Sequence, residues 1–176
     1  MPYSFRYNRN MVAYSFSMKR ARSRERAITE YFKMWVARDF DKLDGLFAPD
    51  CRYEEYTGSI YQGRDQIHRW IDALQAAQVV VSWRVHDFLH GRGNQGQPEI
   101  TVTWTFCAYD LADRSHSLCE VDGVAGQSDG VGAEREGSYE FDGVSIIEFD
   151  RQNKINSVRE FYAKHDRRYP YGDIAG

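Results

Sequence analysis

The stretch SYEFDGVSIIEFDRQNKINSVREFYAKHD, residues 138–166, decides the fold of this chain. Residues 144–149 and 155–162 are rich in β-branched and aromatic side chains, which favour strands. The polar residues 150–154 between them are typical of a short turn. The pattern therefore predicts a β-hairpin.

Each strand of this hairpin presents two rows of side chains, because successive side chains point to opposite faces of a sheet. One face carries Ser145, Ile147, Phe149, Val158, Glu160 and Tyr162. The other face carries Val144, Ile146, Glu148, Ile155, Ser157, Arg159 and Phe161. Both faces are partly apolar, so we expect the hairpin to lie in the middle of a sheet that is covered on both sides.

The composition indicates a single domain without a structural metal. With 176 residues the chain fits one domain that can bury a real core. Its net charge of −3 disfavours broad nucleic-acid or membrane binding, and no apolar run approaches the roughly 20 residues of a membrane span. Cys51, Cys107 and Cys119 give neither a full disulfide set nor metal-ligand spacing. We therefore expect no zinc site and a reducing cytoplasm as the compartment.

Residues 1–22 differ in composition from the rest of the chain. They are aromatic, serine-rich and basic, and contain no acidic residue. This composition fits a disordered or strand-like extension, a start codon read too early (Met11 and Met18 are later candidates), or a transit peptide. We interpret residues 1–22 as an extension, residues 23–166 as the domain and residues 167–176 as a tail.

Three helices are predicted in the first half of the chain. The first covers residues 23–37 with Ser23 as its N-cap, and the third covers residues 64–77. Their apolar stripes at helical spacing are Ile28, Tyr31, Phe32 and Trp35 in the first, and Ile67, Trp70, Ile71 and Leu74 in the third. A short second helix carries Leu43, Leu46 and Phe47. We expect this second helix to end at Pro49.

Three further strands are predicted before the hairpin, at residues 51–56, 79–89 and 100–109. Their inward rows are Cys51, Tyr53 and Glu55; Val81, Trp83 and Val85; and Val102, Trp104 and Phe106. Residues 110–137, rich in glycine, aspartate and serine, are typical of a lid, a binding loop or a disordered segment. Helices followed by strands predict an α+β fold, in which a strongly curved antiparallel sheet packs against three N-terminal helices. Such a sheet forms a cone with one open end.

Three phrases in this order resemble the nuclear transport factor 2-like superfamily, in its SnoaL-like branch. They are YFKMWVARDFDKLDGLFAPDCRYEE (residues 31–55), YQGRDQIHRWI (61–71) and FDGVSIIEFDRQNKINSVREF (141–161). The resemblance covers about residues 27–162 and implies the cone-shaped fold. The superfamily contains isomerases, cyclases, dehydratases, epoxide hydrolases and proteins without catalytic activity, so fold alone does not choose among them.

Ketosteroid isomerase, a member of this superfamily, is similar enough to serve as a template for catalytic residues. The resemblance places its oxyanion-donating tyrosine on Tyr31 and its general-base carboxylate on Glu55. Its second oxyanion donor, a protonated aspartate, falls on Ser145. This position departs from the template, because a serine hydroxyl donates a hydrogen bond more weakly than a carboxylic acid kept neutral by burial. Glu160 lies on the same predicted face as Ser145 and is the fourth candidate catalytic residue.

Glu55 and Glu160 are the candidate base and acid. A carboxyl group in an apolar cavity has a raised pKa, which suits a general base near neutral pH. Two carboxyl groups in one pocket push their pKa values apart, which gives one acid and one base. The alternatives are that Glu55 pairs with an arginine, and that Tyr31 is bonded in the core to a backbone carbonyl or to Glu55. For Glu160 the alternative is a register shifted by one residue, which would place it on the outer face, paired with Arg159 or Arg84.

The predicted cavity is lined by apolar and aromatic side chains. The candidate substrate-binding residues are Trp35, Tyr53, Trp70, Trp83, Trp104, Phe106, Ile147, Val158 and Tyr162. We interpret the tryptophans as core and wall, with stacking on a cofactor as the alternative. His116 and Cys119 in the long loop are interpreted as solvated, with metal binding as the alternative. We expect neither a cofactor nor a metal.

These features predict a protein with one pocket for a small molecule. The first hypothesis is cofactor-independent acid/base chemistry on a small apolar carbonyl compound: isomerisation, aldol-type cyclisation or dehydration. The second is a non-catalytic module that binds an apolar ligand or mediates association. We also expect a homodimer, because the outer sheet face is too apolar to be left wet. That face comprises Thr101, Thr103, Thr105, Val144, Ile146 and Phe161.

Overall fold

The computed structural model describes residues 9–111 and 138–163 of the chain. Its elements in chain order are α1 (Arg9–Ala37), α2 (Leu43–Leu46), β1 (Phe47–Glu54), β2 (Ile60–Gln62), α3 (Arg64–Ala77), β3 (Gln78–Arg92), β4 (Pro98–Asp110), β5 (Ser138–Phe149) and β6 (Ile155–Ala163). The predictions for residues 1–8, for the tail and for most of the long loop, including His116 and Cys119, lie outside the described residues.

The six strands form one curved, open sheet in the order β2-β1-β6-β5-β4-β3. The predicted α+β cone is confirmed, and the β5–β6 hairpin lies in mid-sheet as expected. One pairing differs from the all-antiparallel expectation, because β1 runs parallel to β6. These two strands are far apart in sequence, and the elements between them provide the long crossover that a parallel pair needs.

The hairpin register confirms which side chains share a face. Ser145 pairs with Glu160 and Ile147 with Val158, and all four are buried on the inner face. Ile155 is an exception to the predicted rows, because it is fully buried and pairs with Phe149. A register shift next to Phe149 adds one residue to β6, which brings Ile155 back to the inner face.

Helix α1 begins at Arg9, much earlier than predicted. Ser23 is therefore inside the helix and is not its N-cap, and residues 9–22 are helical rather than strand-like or disordered. The predicted stripe is confirmed, since Ile28, Tyr31, Phe32 and Trp35 are all buried. A helix can continue beyond the part that carries an apolar stripe. The stripe therefore located the packed part of α1 and not its start.

The second helix is shorter than predicted, and Pro49 does not end it. α2 stops at Leu46, and Phe47 already begins β1. Pro49 lies inside β1, within the segment between Phe47 and Arg52 where the pairing to β6 shifts register. A proline has no amide hydrogen to donate to a ladder and is tolerated at such an irregularity. The three-residue strand β2, which pairs with β1, was too short to give a sequence signal.

A bulge near the start of β3 changes one inward position. The predicted row of Val81, Trp83 and Val85 holds for the last two, but Val81 is 43% exposed. The β3–β4 register shifts between Val80 and Ser82, so Val80 takes the buried position. The added residue of a bulge reverses the faces on one side of it.

The outer sheet face keeps an apolar component at Phe161, which is 53% exposed. It also carries a polar cluster, in which Thr105 donates to Asp142 over 2.6 Å and lies 2.8 Å from the His86 ring nitrogen. The homodimer through this face stays a prediction. Among the helices of the described segments, none has the length and apolar character required to traverse a membrane.

Candidate active site

The end of β1 places two side chains on the wall of a cavity. β1 ends at Glu54, and in the turn that follows the Gly58 amide donates to the Glu55 carbonyl over 2.9 Å. Gly58 has a φ of 96°, which glycine adopts without strain. Because the chain leaves the strand here, alternation no longer applies and both Glu55 and Tyr56 line the cavity. Strict alternation over residues 51–56 puts Tyr56 on the opposite face, so sequence reasoning misses it.

The cavity lies between the helices and the inner sheet face. It is lined by Trp35, Glu55, Tyr56, Trp70, Leu74, Gln78, Trp83, Phe106 and Glu160. The cavity volume is about 20 Å³, which is room for about one water molecule. Its lining is mostly aromatic, and Glu55 and Glu160 are the only acidic or basic side chains among the described residues that line it. Glu55 and Glu160 therefore meet at one small, largely apolar site.

Glu160 is held at this site by buried hydrogen-bond donors. Only 6% of its surface is exposed. The Tyr53 hydroxyl donates to Glu160 Oε1 over 2.5 Å, and Ser145 also hydrogen-bonds the carboxyl group. Burial raises the pKa of Glu160 to about 8, the nearby Glu55 adds to the rise, and the bonds from Tyr53 and Ser145 oppose it. Glu160 therefore carries its proton at neutral pH.

The alternative placement of Glu160 on the outer face is wrong. Arg84, one of its two candidate partners, instead pairs with Glu140 at 3.0 Å. Arg159 pairs with Ile146 across the ladder and so lies on the opposite face from Glu160. The predicted inward register of β6 is confirmed at this position.

Glu55 is half-buried and sits between hydroxyl groups. Thr57 donates to Glu55 Oε2 over 2.7 Å, and Tyr61 also hydrogen-bonds the carboxyl group. Burial raises the pKa of Glu55, and these two bonds oppose the rise. No arginine forms an ion pair with Glu55 among the described residues. Since Glu160 is the more deeply buried of the two, it keeps its proton to higher pH and Glu55 ionises first.

Tyr31 and Ser145 lie behind the cavity wall. Tyr31 is fully buried and donates to the Tyr53 hydroxyl over 3.0 Å, while Trp104 Nε1 donates to Ser145 Oγ over 2.8 Å. Neither Tyr31 nor Ser145 lines the cavity. The structure thus brings Glu55 and Glu160 to the cavity and places the other two candidates behind Glu160. The assigned catalytic roles stay predictions.

The candidate substrate-binding residues divide into three groups. Trp35, Trp70, Trp83 and Phe106 line the cavity. Tyr53, Trp104, Ile147 and Val158 are buried in the core and do not line it. Tyr162 is 51% exposed and its ring contacts those of Tyr56 and Phe141 at 5.1 and 5.2 Å. Sequence reasoning misses Leu74 and Gln78 as lining residues. Leu74 lies on the predicted stripe of α3 but was not assigned to the cavity. Gln78 lies at the junction of α3 and β3, where neither period holds.

The cavity tryptophans pack against other aromatic rings. Trp83 stacks on Phe32 with ring centroids 4.2 Å apart, and Trp70 stacks on Tyr61 at 4.8 Å. These contacts favour the core-and-wall interpretation over cofactor stacking. Within the part of the chain that the structure describes, no group of three or more His, Cys, Asp or Glu side chains could hold a metal ion.

Two carboxyl groups with different proton affinities at one apolar cavity form an arrangement suited to proton transfer. The pKa of the less buried Glu55 is raised less by burial than that of Glu160, so Glu55 loses its proton first and can accept a proton while Glu160 still donates one. The surrounding rings exclude water and so strengthen electrostatic interactions inside the cavity.

The buried Glu160 is expected to make the protein less stable as pH rises. Its folded-state pKa of about 8 exceeds its ordinary value of 4.5, so between these values the folded state binds more protons than the unfolded state. Unfolding free energy should therefore fall by ~1.4 kcal/mol per pH unit across this window because of Glu160 alone. Glu160→Gln should remove this component, as measured by urea unfolding from pH 4 to 9.

Glu54→Gln is the matched control for this measurement, because Glu54 pairs on the surface with Arg52 at 2.8 Å. It should keep the wild-type dependence on pH. Equal slopes in wild type and Glu160→Gln would show that Glu160 does not hold its proton in the folded state.

Comparisons with known proteins agree with this fold. The family model described as SnoaL-like domain matches residues 28–158. The epoxide hydrolase/cyclase-like enzyme SalBIII of salinomycin pyran-ring formation is 15% identical, with a TM-score of 0.57 over 81% of this chain and 92% of that one. The comparison with curated protein sequences gives no match.

Two further solved structures share the fold. An LEH-like epoxide hydrolase of M. tuberculosis is 15% identical, with a TM-score of 0.54 over 78% of this chain and 76% of that one. A proposed polyketide cyclase from Xanthomonas campestris pv. campestris is 14% identical, with a TM-score of 0.54 over 82% and 91%. At these identities the likeness concerns the fold alone.

Proposed function

The chain belongs to the SnoaL-like domain family, and we propose that it is a cofactor-independent acid/base enzyme acting on a small apolar carbonyl compound. The reaction type is isomerisation, cyclisation or dehydration. The observation that supports this proposal is that Glu55 and Glu160 line one aromatic cavity, with the pKa of Glu160 raised to about 8.

The first step of such a reaction assigns opposite roles to the two carboxyl groups. The Glu55 carboxylate takes a proton from the carbon next to the substrate carbonyl. Negative charge then develops on the carbonyl oxygen, and the protonated Glu160 stabilises it by donating a hydrogen bond. In an isomerisation Glu55 returns the proton to another carbon. In an aldol-type cyclisation the enolate carbon bonds to a second carbonyl, whose oxygen takes the proton from Glu55, and the first carbonyl re-forms. In a dehydration the enolate expels a hydroxyl group from the adjacent carbon, which leaves as water with the proton from Glu55. Each reaction returns Glu55 to the carboxylate and leaves Glu160 protonated.

The cavity walls suit a neutral apolar substrate. Trp35, Trp83 and Phe106 contribute apolar surface, and none of the described residues that line the cavity has a basic side chain to pair with an anion. The cavity holds about one water molecule, so a substrate enters only when lining side chains move. Tyr56, which is half-buried, is placed to move at low cost because it is only partly packed.

An equilenin-like phenol tests the proposal without knowledge of the substrate. Its hydroxyl resembles the enol of a carbonyl compound, and its ionisation is followed by absorbance. We expect binding to lower the phenol pKa from its ordinary value near 10, and Glu160→Gln to reduce this effect. Glu54→Gln serves as the control. A phenol that binds without any promoted ionisation would reject the acid/base function.

The small cavity favours one alternative, a non-catalytic module of the same fold. Space for about one water is less than the proposed substrates need, and the buried aromatic residues pack as an ordinary core. In that case the phenol should bind with its ordinary pKa or not bind at all. The same titration therefore separates the two functions.

A further inference from the structure

Tyr53, which sequence reasoning assigned only to the cavity wall, makes a short hydrogen bond to Glu160. Tyr53 is fully buried and does not line the cavity. Its hydroxyl is 2.5 Å from Glu160 Oε1, the range of a strong hydrogen bond to a carboxyl group. Its ring is fixed by those of Tyr31 at 6.1 Å and Trp70 at 4.8 Å.

We propose that Tyr53 is the positioning residue of this site, which fixes the Glu160 carboxyl against the cavity and sets how readily it gives up its proton. Only the effect of this role on catalysis rests on the proposed function. The hydrogen bond and its effect on Glu160 exist without a substrate.

Tyr31 determines the direction of the bond from Tyr53 to Glu160. A tyrosine hydroxyl has one proton to donate and can also accept. Tyr31 donates to Tyr53 over 3.0 Å, so the proton of Tyr53 is directed to Glu160. A donor that itself receives a hydrogen bond is polarised and donates more strongly. Tyr31 thus acts on Glu160 through Tyr53, and not on the substrate as the ketosteroid isomerase template implies.

Of the groups around Glu160, Tyr53 is the main hydrogen-bond donor that can influence its ionisation. Glu55 and Tyr56, after β1, are the remaining titratable side chains that act on it from the cavity side. Ser145 of β5 is a second, neutral donor. The elements α3, β3 and β4 contribute Trp70, Leu74, Gln78, Trp83 and Phe106, which carry no charge. Among the described residues that line the cavity, no cation is available to ionise Glu160.

The test is a direct titration of Glu160 by NMR in the full chain. Glutamate labelled with ¹³C at the carboxyl carbon gives a signal for Glu160, which is assigned by its absence in Glu160→Gln. The wild-type midpoint should lie at about 8. Tyr53→Phe removes a bond that favours the ionised form, so the midpoint should rise by about one pH unit. An unchanged midpoint in a natively folded Tyr53→Phe would overturn the proposal.

Two further variants keep the test decisive. Tyr31→Phe retains the direct Tyr53–Glu160 bond and should raise the midpoint by less than half as much; an equal rise would overturn the assignment to Tyr53. If Tyr53→Phe does not fold, the double variant Tyr31→Phe/Ser145→Ala replaces it, because Tyr53 is then the one described donor left to Glu160. The titration midpoint of Glu160 in this double variant should stay within about one pH unit of the wild-type midpoint. A larger rise of the midpoint would overturn the proposal.

The titration separates this inference from the proposed function. A midpoint that rises in Tyr53→Phe while phenol ionisation is never promoted would support the role of Tyr53 and reject the enzyme. Promoted ionisation with a midpoint indifferent to Tyr53 would support the enzyme and reject this role.

Discussion

Replacing Glu55 by glutamine is expected to lower turnover by about 10²–10⁴-fold, the range that a general base contributes. Glutamine keeps the shape of the side chain and can still meet the Thr57 hydroxyl, which donates to Glu55 over 2.7 Å. It removes only the basicity, so the chemical step should slow while substrate affinity changes little. The measurement is kcat and KM on a panel of small enones and polyketide-like ketones.

The neighbouring carboxylate provides a strict control for this prediction. Glu54 precedes Glu55 in sequence but pairs with Arg52 and is absent from the cavity lining. Glu54→Gln should therefore keep wild-type turnover. Tyr31→Phe should cost much less than Glu55→Gln, since Tyr31 reaches the cavity only through Tyr53. Turnover that survives Glu55→Gln would assign the base to another group.

The hairpin shows why the sequence was informative about the fold. Strand alternation has a period of two, and the inner face is buried at Ile147, Val158 and Glu160, so a slip of one residue would expose Ile147 and Val158. The register was therefore strongly specified, and it placed Glu160 inward correctly. The alternation rule fails where a strand contains a bulge, as next to Val81 and Phe149, because the sequence pattern does not show that a residue has been added.

The site was less predictable because it is built where regular structure ends. Glu55 and Tyr56 reach the cavity from a turn, and neither the strand nor the helix period applies there. The helical spacing placed Tyr31 on the buried face of α1, which is confirmed, and the resemblance to ketosteroid isomerase gave Tyr31 a catalytic role that stays a prediction. The resemblance could not show that Tyr31 is bonded to Tyr53, which in turn is bonded to Glu160. That arrangement depends on Tyr53, two residues before Glu55. Hydrogen-bond partners follow from packing in three dimensions, which pattern reasoning does not supply.

Replacing Gly143 by alanine is expected to destabilise the protein by about 1–3 kcal/mol or more, as overpacked core substitutions do. Gly143 is opposite Trp104 on β4, and a Cβ at Gly143 would stand 2.1 Å from an atom of the Trp104 ring. The ring cannot easily retreat, because Trp104 is 1% exposed and its Nε1 is bonded to Ser145. The measurement is the free energy of unfolding in urea at fixed pH.

A double-mutant cycle identifies the Trp104 ring as the cause. In a Trp104→Phe background the smaller ring leaves room for a methyl group, so Gly143→Ala should cost less there than in wild type. Gly45→Ala is the control, since a Cβ at Gly45 meets nothing within 4 Å. Gly45 lies in α2, where alanine is favoured over glycine by about 0.5–1 kcal/mol, so this change should not destabilise the protein. If Gly143→Ala lowers the free energy of unfolding equally in both backgrounds, the loss is caused by the β5 backbone and not by the Trp104 ring. Because Trp104 donates to Ser145, which in turn bonds Glu160, a displaced ring should also alter the Glu160 titration, and this links the glycine to the candidate site.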